Sequence, residues 1–218
     1  MKTTNQLARA RAPGGAELVL YERDGTYTIR ANGLELMSSR AHGSEEHMAE
    51  LAVAAGACRV LVGGLGLGYT ARAVLDRVGP DAAVIVAEVV PAVVAWNRVH
   101  LGHLAGRPLD DPRVTVVEDD VGRVLRAARE RFDAILLDID NGPRALTRPG
   151  NQGLYAETGL RTCKAALARG GALAVWSAGR DEPFLRRLRK VGFAAESHDV
   201  PARGAAGGPK HTIFVGRV

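Results

Sequence analysis

From Arg59 onward the chain alternates short apolar runs with amphipathic ones, and this rhythm restricts the fold more than any other feature. Arg59-Val60-Leu61-Val62 leads into a glycine-rich turn, and Ala71, Val74, Leu75 and Val78 follow at the i, i+3, i+4, i+7 spacing of one helix face. The pattern recurs as strand Ala83 to Ala87, helix Pro91 to Val99 opened by a proline suited to a first turn, strand Val114 to Val117 and helix Val121 to Glu130. The most apolar strand, Phe132 to Leu137, ends at Asp138; a Gly/Pro-rich loop, a helix from about Gly153 to Ala168 and the strand Ala172 to Trp176 come next. Strands without polar interruption, separated by amphipathic helices, predict an α/β fold: an open, doubly wound, mostly parallel sheet covered on both faces.

The rhythm breaks near the end. Ala194 to Val200 and His211 to Val215 read as strands, and the segment Pro201 to Pro209 between them is too short for a crossover helix. They are expected to pair antiparallel, which makes a seven-stranded sheet closing in a C-terminal hairpin. The connecting loop is expected to be mobile and to cover the site.

Upstream, residues 17–37 hold two β-prone runs punctuated by Asp24-Gly25 and Asn32-Gly33, a small hairpin or meander. Ser44 before Glu45-Glu46 reads as the cap of a helix that carries Met48, Leu51, Ala52 and Ala55 on one face and stops at Gly56. The expected organisation is a flexible tail at 1–16, a small β/helix segment at 17–56 and a catalytic domain at 57–218. Hydrophobic residues at 46% supply a core for such a domain.

The formal charge of +5 comes from a chain with 25 Arg and 4 Lys spread along it. The densest cluster, Arg186 to Lys190, alternates with Leu185, Leu188 and Val191 at helical spacing, so it reads as the wet face of a helix, and no nucleic-acid partner is expected. No membrane span is expected, and Met1 to Pro13 lacks the apolar region of a secretory signal. Cys58 and Cys163 form no CxxC pair or disulfide framework, which favours a cytoplasmic enzyme. His100 and His103 have no nearby carboxylate or cysteine, so no metal is expected.

Gly64, Gly66 and Gly68 fill the turn between the first strand and the first helix, where missing side chains let backbone N–H groups approach a ligand. The spacing suits an adenosyl-sulfonium compound, and Gly66-x-Gly68-x-x-Ala71 also meets a relaxed dinucleotide pattern. Glu88 ends the second strand, placed to accept hydrogen bonds from ribose hydroxyls. Asp119 and Asp120 follow the third strand, where a carboxylate can meet an adenine amino group or cap the next helix. Asp138, Asp140 and Asn141 project from the carboxyl edge of the most buried strand, the expected reaction centre or a turn into Gly142-Pro143.

This series of motifs resembles the spermidine synthase (polyamine aminopropyltransferase) family over nearly all of residues 17 to 178, within the Rossmann-like class I methyltransferase superfamily. The resemblance runs through the glycine loop, Glu88, Arg113-Val-Thr-Val leading to Asp120, and Asp138-Ile139-Asp140-Asn141-Gly142-Pro143. It continues in Leu154-Tyr155-Ala156-Glu157 and Ala166-Leu167-Ala168-Arg169-Gly170-Gly171. Leu67 stands where the family has an aspartate that grips the donor's amino group, Asn141 where it has a second loop aspartate, and Glu45-Glu46 where it has a tyrosine-glutamine pair.

The resemblance implies transfer of an aminopropyl group from decarboxylated S-adenosylmethionine to a small amine, with 5'-methylthioadenosine released and a homodimer as the assembly. Asp138 and Asp140 are then the catalytic acids, with Asp138 as base. Gly64, Gly66, Gly68, Glu88, Asp119 and Asp120 bind the donor, and Glu45, Glu46, Asn141 and Tyr155 bind the acceptor. For Tyr155 and Trp176 a core role is the favoured reading, with packing against the amine or the sulfonium as the other. Methyl transfer from S-adenosylmethionine, leaving S-adenosylhomocysteine, is the alternative that Leu67 favours. A nicotinamide oxidoreductase and a catalytically idle nucleoside-binding protein are further ones.

Overall fold

The first four strands are β1 (Asn5–Arg11), β2 (Glu17–Arg23), β3 (Thr26–Ala31) and β4 (Leu34–Ser38), an antiparallel sheet in that spatial order. They come from a computed structural model that describes residues 3–128, 131–139 and 152–218. Asp24-Gly25 and Asn32-Gly33 all have positive φ, the backbone that tight hairpin turns demand. Within the expected tail, residues 5–11 form a strand. Asn5 to Arg11 pairs with β2 from Asn5↔Glu22 to Arg11↔Glu17, and Arg9 forms an ion pair with Glu17. Alanines in β1 carry little strand propensity of their own, so this strand depends on the template beside it.

Helix α1 (Gly43–Ala52) follows, and Ser44 is not its cap. The cap position is His42, whose side chain makes no capping hydrogen bond to the helix start; the Gly43 N–H donates to Ala202 O at 2.9 Å. The segment between the last two strands therefore satisfies the start of α1 and frees the Ser44 hydroxyl for other partners. A Cβ on Gly43 would lie 2.1 Å from Gly204 N, so the two segments meet backbone to backbone. Instead of lying over the site as an independent lid, this segment is bound at Ala202, which is fully buried.

The second sheet contains β5 (Arg59–Gly63), β6 (Ala83–Ala87), β7 (Val114–Val117), β8 (Phe132–Leu137), β9 (Leu167–Ser177), β10 (Ala194–Pro201) and β11 (Lys210–Arg217). Among the described residues its order is β10-β11-β9-β8-β5-β6-β7. β7, β6, β5, β8 and β9 run parallel, and β11 and β10 are antiparallel, as the sequence pattern predicts. Helices α2 (Tyr69–Leu75), α3 (Pro91–Trp96), α4 (Val121–Ala127), α5 (Gln152–Tyr155), α6 (Glu157–Ala166) and α7 (Glu182–Val191) provide the cover. The helix expected over 153–168 is thus two pieces, and β9 begins earlier than expected, at Leu167. No helix of the described residues is long and apolar enough to cross a membrane.

Alternating side chains of the central strands feed two cores. Val60, Val62, Val84, Val86 and Leu136 pack with Met48, Val74, Val94 and the inner residues of the small sheet, Leu20 and Ile29. Leu61, Ile135, Leu137 and Leu173 pack on the other face with Leu125, Leu160, Phe184 and Leu188. Burial of each large side chain contributes about 1.5–3 kcal/mol, so this double core fixes the strand ends on which the site depends.

Candidate active site

The chain winds from β5 outward to β6 and β7, then crosses back to β8 on the other side of β5. Such a reversal opens a crevice at the carboxyl ends of the two strands. Gly63 and Gly64 leave β5 there, and Asp138 leaves β8 beside them, its N–H bonded to Gly63 O at 2.8 Å. Gly64 has φ +90°, and a Cβ on it would lie 2.1 Å from Asp138 O. Only glycine lets the two strand exits come this close. Asn97, buried on the helical turn after α3, donates through Nδ2 to Gly66 O and to Val93 O, both at 2.9 Å, and pins the glycine loop from behind.

Two chambers adjoin at this crevice and share Leu36, Met37, Gly66 and Asp138 in their walls. The first is mainly apolar, roofed by Ala12, Leu18, Ile29 and Met37, with Gly64, Glu88, Asp119 and Asp120 on its floor. Its shape and lining suit an adenosine: apolar walls for a base and acids for hydroxyl and amino groups. Glu88 is nearly buried; Oε2 accepts from Leu65 N at 2.9 Å and Oε1 from Val90 N at 2.8 Å, which holds the carboxylate at the chamber wall. Asp120 also caps α4, its side chain accepting from Arg123 N, while Asp119 accepts from Asp120 N and pairs with Arg123. The capping and lining roles expected as rivals coexist.

The second chamber is more polar. Glu35, Glu45, Leu67, Tyr69, Thr70, Trp176 and His211 line it, with Asp138 at the junction. Burial pushes the Asp138 carboxyl above its usual range, opposed by a 2.6 Å hydrogen bond from Thr70 Oγ1. Glu45 is pushed up to about 8, first by burial and then by the Asp138 carboxylate, with the Ser44 hydroxyl opposing. Burial, then Glu45 and Glu46, raise the Tyr69 phenol as well. Two neighbouring carboxyls with raised pKa values in a sheltered wall form an arrangement that suits a cationic group.

Glu46 and Tyr155, expected at the acceptor site, line neither chamber. One position further around α1, Glu46 turns outward, is exposed and bonds His42 Nδ1 at 2.9 Å. Tyr155 is 2% exposed in the core, its ring edge-on to Phe184 at 5.8 Å. Asp140 and Asn141 lie outside the described residues. Trp176 does line the chamber, and His103 packs edge-on against Tyr27.

Sequence reasoning missed Thr70, His211 and the role of Ser44. Thr70 carries a usable signal, since it lies in the first turn of the helix after the glycine loop. Ser44 and His211 meet across 167 positions of chain and carry none.

A family model for the spermine/spermidine synthase domain matches residues 44–187, more than half of the chain. The chain belongs to the spermine/spermidine synthase family. Among curated relatives, the polyamine aminopropyltransferase of Mycobacterium tuberculosis is 35% identical over 147 residues, and that of Mycobacterium bovis matches equally. The match covers 66% of this chain and 27% of the relative, so the chain spans about a quarter of its length. In fold, it is similar to the spermidine synthase from Thermotoga maritima, with a TM-score of 0.76 at 19% identity, covering 97% of this chain and 72% of that one. A spermidine synthase in complex with the transition-state analogue AdoDATO gives 0.75 at 19% identity, with the same coverage. The expected family and the doubly wound fold with its antiparallel C-terminal hairpin are both borne out.

Proposed function

We propose that this chain transfers an aminopropyl group from decarboxylated S-adenosylmethionine to a small amine. The observation that carries the reading is the position of Asp138 in the wall shared by the two chambers, with the glycine loop and Glu88 on one side and Glu45 on the other. Family membership supports it over hydride transfer or idle nucleoside binding.

In this reading Glu88 accepts hydrogen bonds from the donor's ribose, Asp119 and Asp120 meet the adenine, and the second chamber takes the amine. An amine rests protonated, with a pKa near ~10.4, so it reacts only after losing a proton. Asp138 takes that proton. The nitrogen lone pair then forms a bond to the propyl carbon, the carbon–sulfur bond breaks and its electron pair returns to sulfur. A neutral thioether leaves as 5'-methylthioadenosine without acid assistance, so alignment and proton removal supply the catalysis.

Leu67, nearly buried and facing the second chamber, keeps methyl transfer from S-adenosylmethionine as a second reading. Calorimetric titration of the full chain with each donor separates them: tighter binding of the decarboxylated form supports aminopropyl transfer, and preference for the carboxylated form overturns it. A cytoplasmic location is supported by two free thiols, Cys58 and Cys163. The family resemblance supports a homodimer, which light scattering on the purified chain tests.

A further inference from the structure

Ser44 Oγ is fully buried and has three polar neighbours from three elements: Glu45 Oε2 at 2.6 Å on α1, His211 Nδ1 at 2.9 Å on β11 and Trp176 Nε1 at 3.0 Å on β9. A hydroxyl has one hydrogen to give and two lone pairs to fill. The indole N–H can only donate, so it occupies one lone pair. The Ser44 hydrogen then goes to Glu45 or to His211, and the other of these must donate to the remaining lone pair. An edge-on contact with Trp176, 4.6 Å between ring centroids, keeps the His211 ring in place for either arrangement.

We infer that Ser44 is a two-position proton switch between Glu45 and His211, through which a proton taken up in the acceptor chamber leaves it. The inference deepens the amine-transfer reading and rests on it for the origin of the proton. In the first position Glu45 is protonated and donates to Ser44, Ser44 donates to His211 Nδ1, and His211 carries its hydrogen on Nε2. On transfer, the O–H bonds of Glu45 and Ser44 break while a new O–H forms on Ser44 and an N–H forms on His211 Nδ1. His211 then loses its Nε2 hydrogen to water and is left neutral, donating from Nδ1 to Ser44, whose hydrogen now points at the Glu45 carboxylate. One proton has left, and no electrons change hands.

The surroundings set the resting position. Glu45 faces Asp138 from the end of β8, Tyr69 from α2 and Glu46 on its own helix, and burial together with the two acids raises it to about 8. Burial alone acts on His211, and it lowers its pKa. A neutral Glu45 beside a neutral His211 is therefore favoured at neutral pH, and the second position takes over as Glu45 ionises.

The test is a long-range proton–nitrogen NMR spectrum of the uniformly 15N-labelled full chain from about pH 6.5 to about 10, with the His211 signals assigned from His211→Gln. The expected result is a neutral ring that changes from the Nε2–H to the Nδ1–H tautomer with a midpoint of about 8. Glu45→Gln and Ser44→Ala should each abolish the change. A single tautomer across the range, or a change that persists in Glu45→Gln, overturns the switch. This readout contains no donor or amine, so its failure is distinct from a failure of the transfer reading. In turnover, His211→Gln should lower kcat on the order of ten-fold. An unaltered kcat overturns the exit route.

Discussion

Thr70 Oγ1 donates a 2.6 Å hydrogen bond to Asp138 Oδ2, tying the first turn after the glycine loop to the carboxylate at the end of β8. The bond favours the ionised acid against the burial that opposes it. Thr70→Val removes that support, so the Asp138 pKa rises and the acid limb of the rate–pH profile moves to higher pH. A pH profile that does not move contradicts Asp138 as base.

Glu45 has a raised pKa, so the folded chain holds a proton there that the unfolded chain releases at its ordinary carboxyl value. Folded-state stability from this group is present below about 4.5 and is lost as pH rises towards about 8. Glu45→Gln cannot ionise. The melting temperature of Glu45→Gln relative to the parent chain should therefore increase from pH 5 to pH 9, as measured by thermal denaturation across that range.

Gly64→Ala places a methyl group 2.1 Å from Asp138 O on a backbone with φ +90°. The clash and the strained backbone should destabilise the chain by about 2–4 kcal/mol and part the exits of β5 and β8. Denaturant unfolding measures the first effect and donor titration the second; the variant should bind donor at least ten-fold more weakly.

Arg113 bonds Asp111 through Nε and Nη2 and reaches the carbonyls of Leu75, Val78 and Gly79 with Nη1. It closes the end of α2 onto the turn before β7. The Arg113 hydrogen bonds hold Asp111 down at about 2, so this pair stabilises the fold above the ordinary carboxyl value and loses its effect as pH falls towards about 2. Arg113→Ala should cost about 2–3 kcal/mol at neutral pH, with a smaller difference in acid, measured by urea unfolding at both pH values.

The sheet was legible because Val60 to Val62, Val84 to Val86 and Ile135 to Leu137 are apolar on both faces, a pattern that only a covered parallel sheet requires. Gly64, Glu88 and Asp138 were legible for a related reason: each sits where a strand ends, and the fold class decides which edge those ends share. β1 was hidden because its alanines and arginines need β2 to define a strand. The tyrosine of Leu154-Tyr155 was ambiguous because a buried aromatic and a ligand-facing one have the same periodicity, and packing against Phe184 decides it. Ser44 looked like a cap because serine before two acids usually is one. Its actual partners, Trp176 and His211, arrive from β9 and β11, and no local pattern announces contacts made across the whole chain.

The most direct measurement incubates the purified chain and Asp138→Asn with decarboxylated S-adenosylmethionine, S-adenosylmethionine and a mixture of small amines, and identifies the products by mass spectrometry. The parent chain should yield an aminopropylated amine and an equal amount of 5'-methylthioadenosine, with the variant slower by about a hundred-fold or more while still binding donor. A methylated amine with S-adenosylhomocysteine, or equal turnover by Asp138→Asn, would contradict the account.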